Sequence, residues 1–275
     1  MASKVRVIVT TGYGTNCEVE MANACRLAGA EHVDIVHLSD LMDGRVRLTD
    51  YHFLNLPGGF LDGDNLGAAQ AGAHRLRYAR IRQSGERLMD QLLEFVRAGG
   101  LVLGVCNGFQ LMVKTGLLPG FDQDYETRNV SLIYNDSGRF EDRWVTCRVS
   151  QQSPCIFTKG MDTVELPVRH GEGKLVSLDH KVRNRLSTEN LIAMQYVHPE
   201  TGEATDEYPY NPNGSELSIA GLCDPTGRLM GLMPHPEAFH HRTNHPRWTR
   251  EPVPEEGAGL RLFRNAIEYA EKNLV

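Results

Sequence analysis

The feature that most constrains this chain is the alternation in its first 115 residues. Short, continuously apolar runs recur between stretches of helical spacing. The apolar runs are residues 5–9, 33–38, 53–56 and 101–105, each too short for a buried helix. Residues 18–27, closed by Gly29, and residues 108–115 carry helical patterns. Residues 66–96 read as a long helical stretch broken near Ser84-Gly85. Strands alternating with helices predict an α/β fold: a mostly parallel central sheet flanked by helices. Runs without polar alternation fit strands buried on both faces.

The grammar changes after Gly116. Residues 129–194 are strand-rich, with turns at Asn135-Asp136-Ser137-Gly138 and Gly171-Glu172-Gly173. They are expected to add antiparallel strands to the same core. Residues 191–196 and 229–233 read as late strands. Residues 260–274 form an amphipathic helix, with Leu262, Phe263, Ala266, Ile267 and Ala270 at helical spacing. No repeat or linker interrupts the chain, so residues 1–275 are expected to form one domain.

Composition excludes some functions. The formal net charge is −6, and no basic run with interleaved aromatics appears, so nucleic acid is not an expected partner. No apolar run approaches a membrane span. Met1-Ala2-Ser3-Lys4 leads straight into the first strand, without the layout of a signal peptide, and a cytoplasmic protein is expected. The cysteines are Cys17, Cys25, Cys106, Cys147, Cys155 and Cys223. None forms a CxxC pair, so no metal site is expected, and in the cytosol all should stay reduced.

The chemistry concentrates at Gly104-Val105-Cys106-Asn107-Gly108, between a strand and a helix. That is the setting of a nucleophile elbow, with Cys in the place of Ser. Glycines on either side let the backbone reverse without a clash. The turn lifts the sulfur above the C-terminal edge of the sheet, where such folds bind ligands. A helix N-terminus beside the sulfur favours the nucleophilic thiolate. By itself the segment fits a buried structural cysteine equally well.

Two further segments supply what a nucleophilic cysteine needs. Met233-Pro234-His235-Pro236-Glu237 follows a strand. His235 can take and return a proton, and Glu237 can orient its ring. In extended backbone residues i and i+2 point the same way, and Pro236 stiffens that spacing. Pro57-Gly58-Gly59-Phe60, continuing to Gly63-Asp64, follows residues 53–56. Such a turn can aim the N–H of Gly59 at a developing oxyanion, with the N–H of Asn107 as second donor.

Gly104-Val105-Cys106-Asn107-Gly108-Phe109-Gln110 and Met233-Pro234-His235-Pro236-Glu237 together resemble the class I glutamine amidotransferases. More narrowly, they are similar to the glutaminase component of phosphoribosylformylglycinamidine synthase, in purine biosynthesis. Gly14-Thr15-Asn16-Cys17-Glu18, His170-Gly171-Glu172-Gly173 and Asn211-Pro212-Asn213-Gly214-Ser215 carry the likeness along the chain. Phe140-Glu141 and Trp144 look closer to the glutaminase domain of the large single-chain synthase.

The resemblance implies a flavodoxin-like fold and a glutamyl-thioester route. Cys106 would attack the glutamine amide, His235 would act as base and then acid, and Glu237 would orient His235. Backbone at Gly59 and Asn107 would form the oxyanion hole, and Gly58 and Gln110 would border the glutamine. Ammonia would pass to a synthetase subunit that carries ATP and Mg and amidates formylglycinamide ribonucleotide. A small accessory subunit could join them, and no cofactor is expected on this chain. The absence of a Gly-x-x-x-x-Gly-Lys-Ser/Thr loop fits that division.

Other features compete for attention. Gly12-Tyr13-Gly14, with Asp34 further on, partly matches a dinucleotide fingerprint, but Cys17 stands at the third glycine position. His235, His240, His241 and His245 cluster in sequence without a zinc-motif spacing. Residues 69–91 are rich in arginine (Arg75, Arg77, Arg80, Arg82, Arg87), which reads as a solvated helix face. Three alternatives stay open: an amidotransferase serving another synthetase, a non-catalytic regulatory subunit, and a Cys-elbow hydrolase on the same fold.

Overall fold

Three of the apolar runs of the first half become the centre of the sheet, buried on both faces, whereas the run at 33–38 lies at the edge with Asp34 and Ile35 exposed. A computed structural model describes residues 4–275; the reading of Met1, Ala2 and Ser3 lies outside the described residues. In it β3 (Phe53–Leu56) and β4 (Leu101–Val105) are buried along their whole length. β1 (Arg6–Thr11) lies parallel to both β3 and the edge strand β2 (His32–His37). β11 (Leu229–Leu232) lies parallel to β4 on the other side.

From β11 the same sheet continues with antiparallel strands. These are β10 (Ile219–Cys223), β9 (Ile192–Tyr196), β6 (Glu141–Val149) and β7 (Thr163–His170). The nine strands run in the order β2-β1-β3-β4-β11-β10-β9-β6-β7. The expected parallel core with antiparallel additions is therefore what forms.

Helices cover the parallel part in two layers. α1 (Glu18–Leu27) and α7 (Leu260–Asn273) pack together against β1 and β3. α3 (Gln70–Tyr78), α4 (Leu88–Arg97) and α5 (Asn107–Thr115) form the second layer, with α5 against β3, β4 and β11. Amphipathicity explains the placement: α4 buries Leu88, Met89, Leu92, Leu93, Phe95 and Val96 on one side. α5 is buried on every side, because α3 and the strand Val130–Ile133 pack against it as well as the sheet.

The structure corrects several expectations. Leu38 does not end a strand but starts α2 (Leu38–Asp43), because the His37 side chain accepts the N–H of Ser39 and caps a new helix. The stretch 66–96 is not one helix with a single break. Ala79 turns extended and Arg80 bridges to Arg87, so a small hairpin separates α3 from α4. The region 129–194 is not purely strands, since Asp179 caps α6 (His180–Thr188) by accepting the N–H of Val182. Nor do all its strands join the main sheet: β5 (Val130–Ile133) and β8 (Lys174–Ser177) pair separately. β10 went unread between β9 and β11.

Candidate active site

Four loops meet at the C-terminal edge of the sheet, following β1, β3, β4 and β11. The sharpest is the β4–α5 turn. Cys106 sits there at φ 52° and ψ −106°, a conformation costing about 1–3 kcal/mol for a residue with a side chain. Its surroundings hold it: the Cys106 N–H donates to Leu232 O, and Gln110 N–H donates to Cys106 O. A Cβ at Gly104 would lie 2.5 Å from Met112 Sδ, and one at Gly108 would lie 1.9 Å from Leu56 O. The two glycines let α5 approach β3 and β4 closely enough to form the elbow.

His235 follows β11 and is held by its own N–H, which donates to Pro167 O on β7. Its Nδ1 lies 2.6 Å from Glu237 Oε1, and both side chains are buried. The i, i+2 pairing is as expected, but the backbone is not extended. Pro236–Ala238 make a 3-10 turn that folds the carboxylate back under the ring. This leaves Nε2 of His235 buried with no protein partner. Burial opposes charge on His235, yet the Glu237 carboxylate and the Cys106 sulfur outweigh it. The imidazole is held well above its ordinary pKa. A thiol, a carboxylate-oriented imidazole and an unspent ring nitrogen are the parts of a nucleophile–base pair.

The glycine turn after β3 is braced by the loop after β1. Asn16 and Cys17 donate their N–H groups to Gly58 O, and Phe60 N–H donates to Gly14 O. Gly59 stands at φ +140°, where a Cβ would lie 2.6 Å from Gly14 O. Among the described residues, the N–H groups of Gly59 and Asn107 donate to no protein carbonyl. Gly58 stands behind the site rather than on its wall. A Cβ there would come 2.8 Å from His235 Cε1 and 3.2 Å from Cys17 Sγ. The partial dinucleotide fingerprint thus serves as the brace of this turn.

A cavity of about 380 Å³ opens above Cys106. Gly59, Gln110, Arg169, His170, Glu172 and His235 line it with Cys106. Gln110 is fixed on both sides: its Nε2 donates to Glu172 O at 2.6 Å and its Oε1 accepts from Asn107 Nδ2. Asn107 Oδ1 accepts the N–H of Leu61, tying the elbow to the glycine turn. His170 Nδ1 lies 3.2 Å from Asn135 Oδ1. Burial, with His235 nearby, lowers the His170 pKa to about 3, so this imidazole is neutral.

Sequence reasoning located Cys106, His235, Glu237, Gly59, Asn107 and Gln110, and the structure brings all six to one place. It assigned no site role to Asp64, which lines the cavity, or to Lys114, whose Nζ donates to Ala68 O 46 positions away in sequence. The His235/His240/His241/His245 cluster disperses. His241 lies 2.8 Å from Glu255 and His245 lies 2.8 Å from Glu165, away from His235. Cys17, His235 and Glu237 bring ligand-type atoms within 4.8 Å of one another, and the His235–Glu237 hydrogen bond engages two of those side chains.

This fold is that of a glutamine amidotransferase, and the chain belongs to the family described as the CobB/CobQ-like glutamine amidotransferase domain, which matches residues 4–270. Within it, the chain falls among the glutaminase subunits of phosphoribosylformylglycinamidine synthase. The PurQ subunit of that enzyme from Dehalococcoides mccartyi is 41% identical over 270 residues, covering 98% of this chain and 99% of that one. The Drosophila melanogaster phosphoribosylformylglycinamidine synthase is 35% identical over 279 residues, and 99% of this chain covers 20% of that protein. The solved structure of PurLQS from Thermotoga maritima contains a chain that superposes with a TM-score of 0.69 at 25% identity, over 97% of this chain and 99% of that one.

Proposed function

We propose that this chain, acting as one domain, hydrolyses glutamine through Cys106, His235 and Glu237 and delivers the ammonia to a synthetase subunit. The observation that carries this reading is the buried His235–Glu237 pair beside a cysteine at a strained strand–helix elbow. Glu237 favours the imidazolium of His235, so the proton of the thiol resides on Nε2 and the Cys106 thiolate attacks the side-chain amide carbon. The tetrahedral oxyanion is stabilised by the free N–H groups of Gly59 and Asn107. His235 then protonates the leaving nitrogen, which departs as ammonia and leaves a glutamyl thioester. Water, deprotonated by His235, releases glutamate. Gln110 borders the substrate, and Gly58 keeps the space that the His235 ring occupies.

The family supplies the acceptor reaction: ATP-dependent amidation of formylglycinamide ribonucleotide in purine biosynthesis. ATP and Mg belong on the synthetase in this scheme, and a small accessory subunit completes the assembly. The support is the Thermotoga complex, whose name joins PurL, PurQ and PurS. A cytoplasmic setting fits six cysteines that all stand as free thiols. Among the described residues no helix is long and apolar enough to cross a membrane.

Alkylation by a glutamine-like electrophile tests the site. The expected result is one label, on Cys106, blocked by excess glutamine. Label spread over several cysteines, or unaffected by glutamine, would contradict the reading.

A further inference from the structure

The thiols of this chain divide by setting. Burial pushes those of Cys25 and Cys147 far up, which keeps them protonated and inert. Cys17, on the loop after β1, is half-buried and lines the cavity together with Cys106. The brace of the glycine turn runs through the Cys17 backbone N–H, and the hydrolysis of glutamine makes no use of its sulfur. That sulfur nevertheless lies 4.0 Å from His235 Nδ1, so two thiols flank one imidazole.

Gly58 sets the gap between the two cysteines. A Cβ there would lie 3.2 Å from Cys17 Sγ and 3.5 Å from Cys106 Cβ. A glycine at this position leaves a methyl-sized space that touches both side chains. A disulfide, with an S–S bond near 2 Å, puts each sulfur about 3 Å from the partner's Cβ. A Cys17 sulfur moved into the Gly58 space meets that separation to within about 0.5 Å. One χ1 step moves a cysteine sulfur by about 3 Å, which is the length of the shift. The His235 ring, with Cε1 2.8 Å from the same point, gives way. Closing the bond therefore takes the base away from the nucleophile.

We infer that Cys17 is the resolving thiol of Cys106: with hydrogen peroxide the two close a reversible disulfide, which turns the glutaminase off and shields its nucleophile from further oxidation. The inference rests on the glutaminase reading, which makes Cys106 the reactive thiolate. The Cys106 sulfur attacks one peroxide oxygen. An S–O bond forms, the O–O bond breaks, and the departing hydroxide takes a proton and becomes water. Cys106 is now a sulfenic acid, oxidised by two electrons. The Cys17 sulfur attacks the sulfenic sulfur. The S–S bond forms, the S–O bond breaks, and hydroxide leaves as water with the proton that Cys17 gives up. Two thiols and one peroxide thus give one disulfide and two waters. Without Cys17 the sulfenic acid meets a second peroxide and becomes a sulfinic acid, which thiols do not reduce.

The test treats full-length wild type and Cys17→Ser with a small excess of hydrogen peroxide and maps peptides by mass spectrometry without reduction. Wild type should give a linked Cys17–Cys106 peptide within one chain, lighter by two hydrogens than the free pair. Dithiothreitol should then restore nearly all of the Cys106 that a glutamine-like electrophile labels. In Cys17→Ser, Cys106 should carry the sulfinic acid, and dithiothreitol should restore little of that variant's own starting label. Linkage of Cys106 to a different cysteine or to a second copy, equal recovery in the two chains, or no linked peptide from wild type would overturn the inference. The wild-type map decides even where Cys17→Ser fails to fold. A linked pair in a chain that releases no glutamate would remove the glutamine chemistry and leave the thiol pair standing. Cys106-dependent glutamate release without linkage would do the reverse.

Discussion

At the scale of single residues, the His235–Glu237 pair decides how the site responds to pH and mutation. Glu237→Gln removes the charge that favours the imidazolium, so the His235 titration should move down, as read from the pH profile of glutamine hydrolysis. Activity should fall by about 10²- to 10⁴-fold, less than for Cys106→Ala, because an orienting group contributes less than the nucleophile. His170 shifts the other way, from an ordinary 6.5 to about 3. Between those values the unfolded chain binds a proton that the folded one does not. His170 therefore costs stability as pH falls below 6.5, at about 1.4 kcal/mol per unit. His170→Gln should flatten the acid side of the stability profile in urea titrations; an unchanged slope would contradict the assignment.

Residue-level legibility followed chain proximity. His235 and Glu237 are two positions apart, and Cys106 is flanked by its own glycines, so local sequence exposed them. Asp64, Lys114 and Glu172 come from three distant segments, and each alone looks like an ordinary surface charge. Only the fold brings Lys114 and Glu172 together at Ala68 and places Asp64 in the same cavity lining as Glu172.

At the scale of elements, the elbow depends on how closely α5 approaches β3. A methyl group at Gly108 would sit 1.9 Å from the backbone oxygen of Leu56, which cannot rotate away. Gly108→Ala should destabilise the chain by roughly 3 kcal/mol or more by forcing the helix outward, and should lose activity beyond its loss of stability. Gly63→Ala offers a contrast, because a Cβ there meets nothing within 4 Å, although its φ of +79° still disfavours alanine. Denaturant midpoints for the two variants separate close approach from backbone preference.

The same scale shows why residues 66–96 read as a helical stretch with a single break and residues 69–91 as a solvated helix face. Helical spacing persisted through the segment, yet tertiary partners claimed its arginines one by one. Arg75 pairs with Asp62 at 2.7 Å, Arg77 donates to Thr115 O and Glu126 O, and Arg82 pairs with Asp43. Arg80 donates to Gly85 O and Arg87 pairs with Asp90, shaping the hairpin between α3 and α4. β10 was missed for a different reason: Ile219-Ala220-Gly221-Leu222-Cys223 is short and fully buried, and carries no alternation to announce it. The parallel strands were readable because helices punctuate them.

At the scale of the whole molecule, the site opens at one edge of the sheet, and large apolar side chains surround its mouth. Phe60, Tyr134 and Phe140 line the cavity and are 47%, 69% and 55% exposed. Side chains so placed gain from being covered, which fits a glutaminase that works against a synthetase. The account predicts that the isolated chain hydrolyses glutamine weakly and that the synthetase raises the rate.

The most direct measurement is glutamate release from glutamine by wild type and Cys106→Ala, each alone and with the synthetase, ATP, Mg and formylglycinamide ribonucleotide. The account predicts activity that requires Cys106 and rises when the full set is present. Release that survives Cys106→Ala, or no release from wild type under any of these conditions, would contradict it.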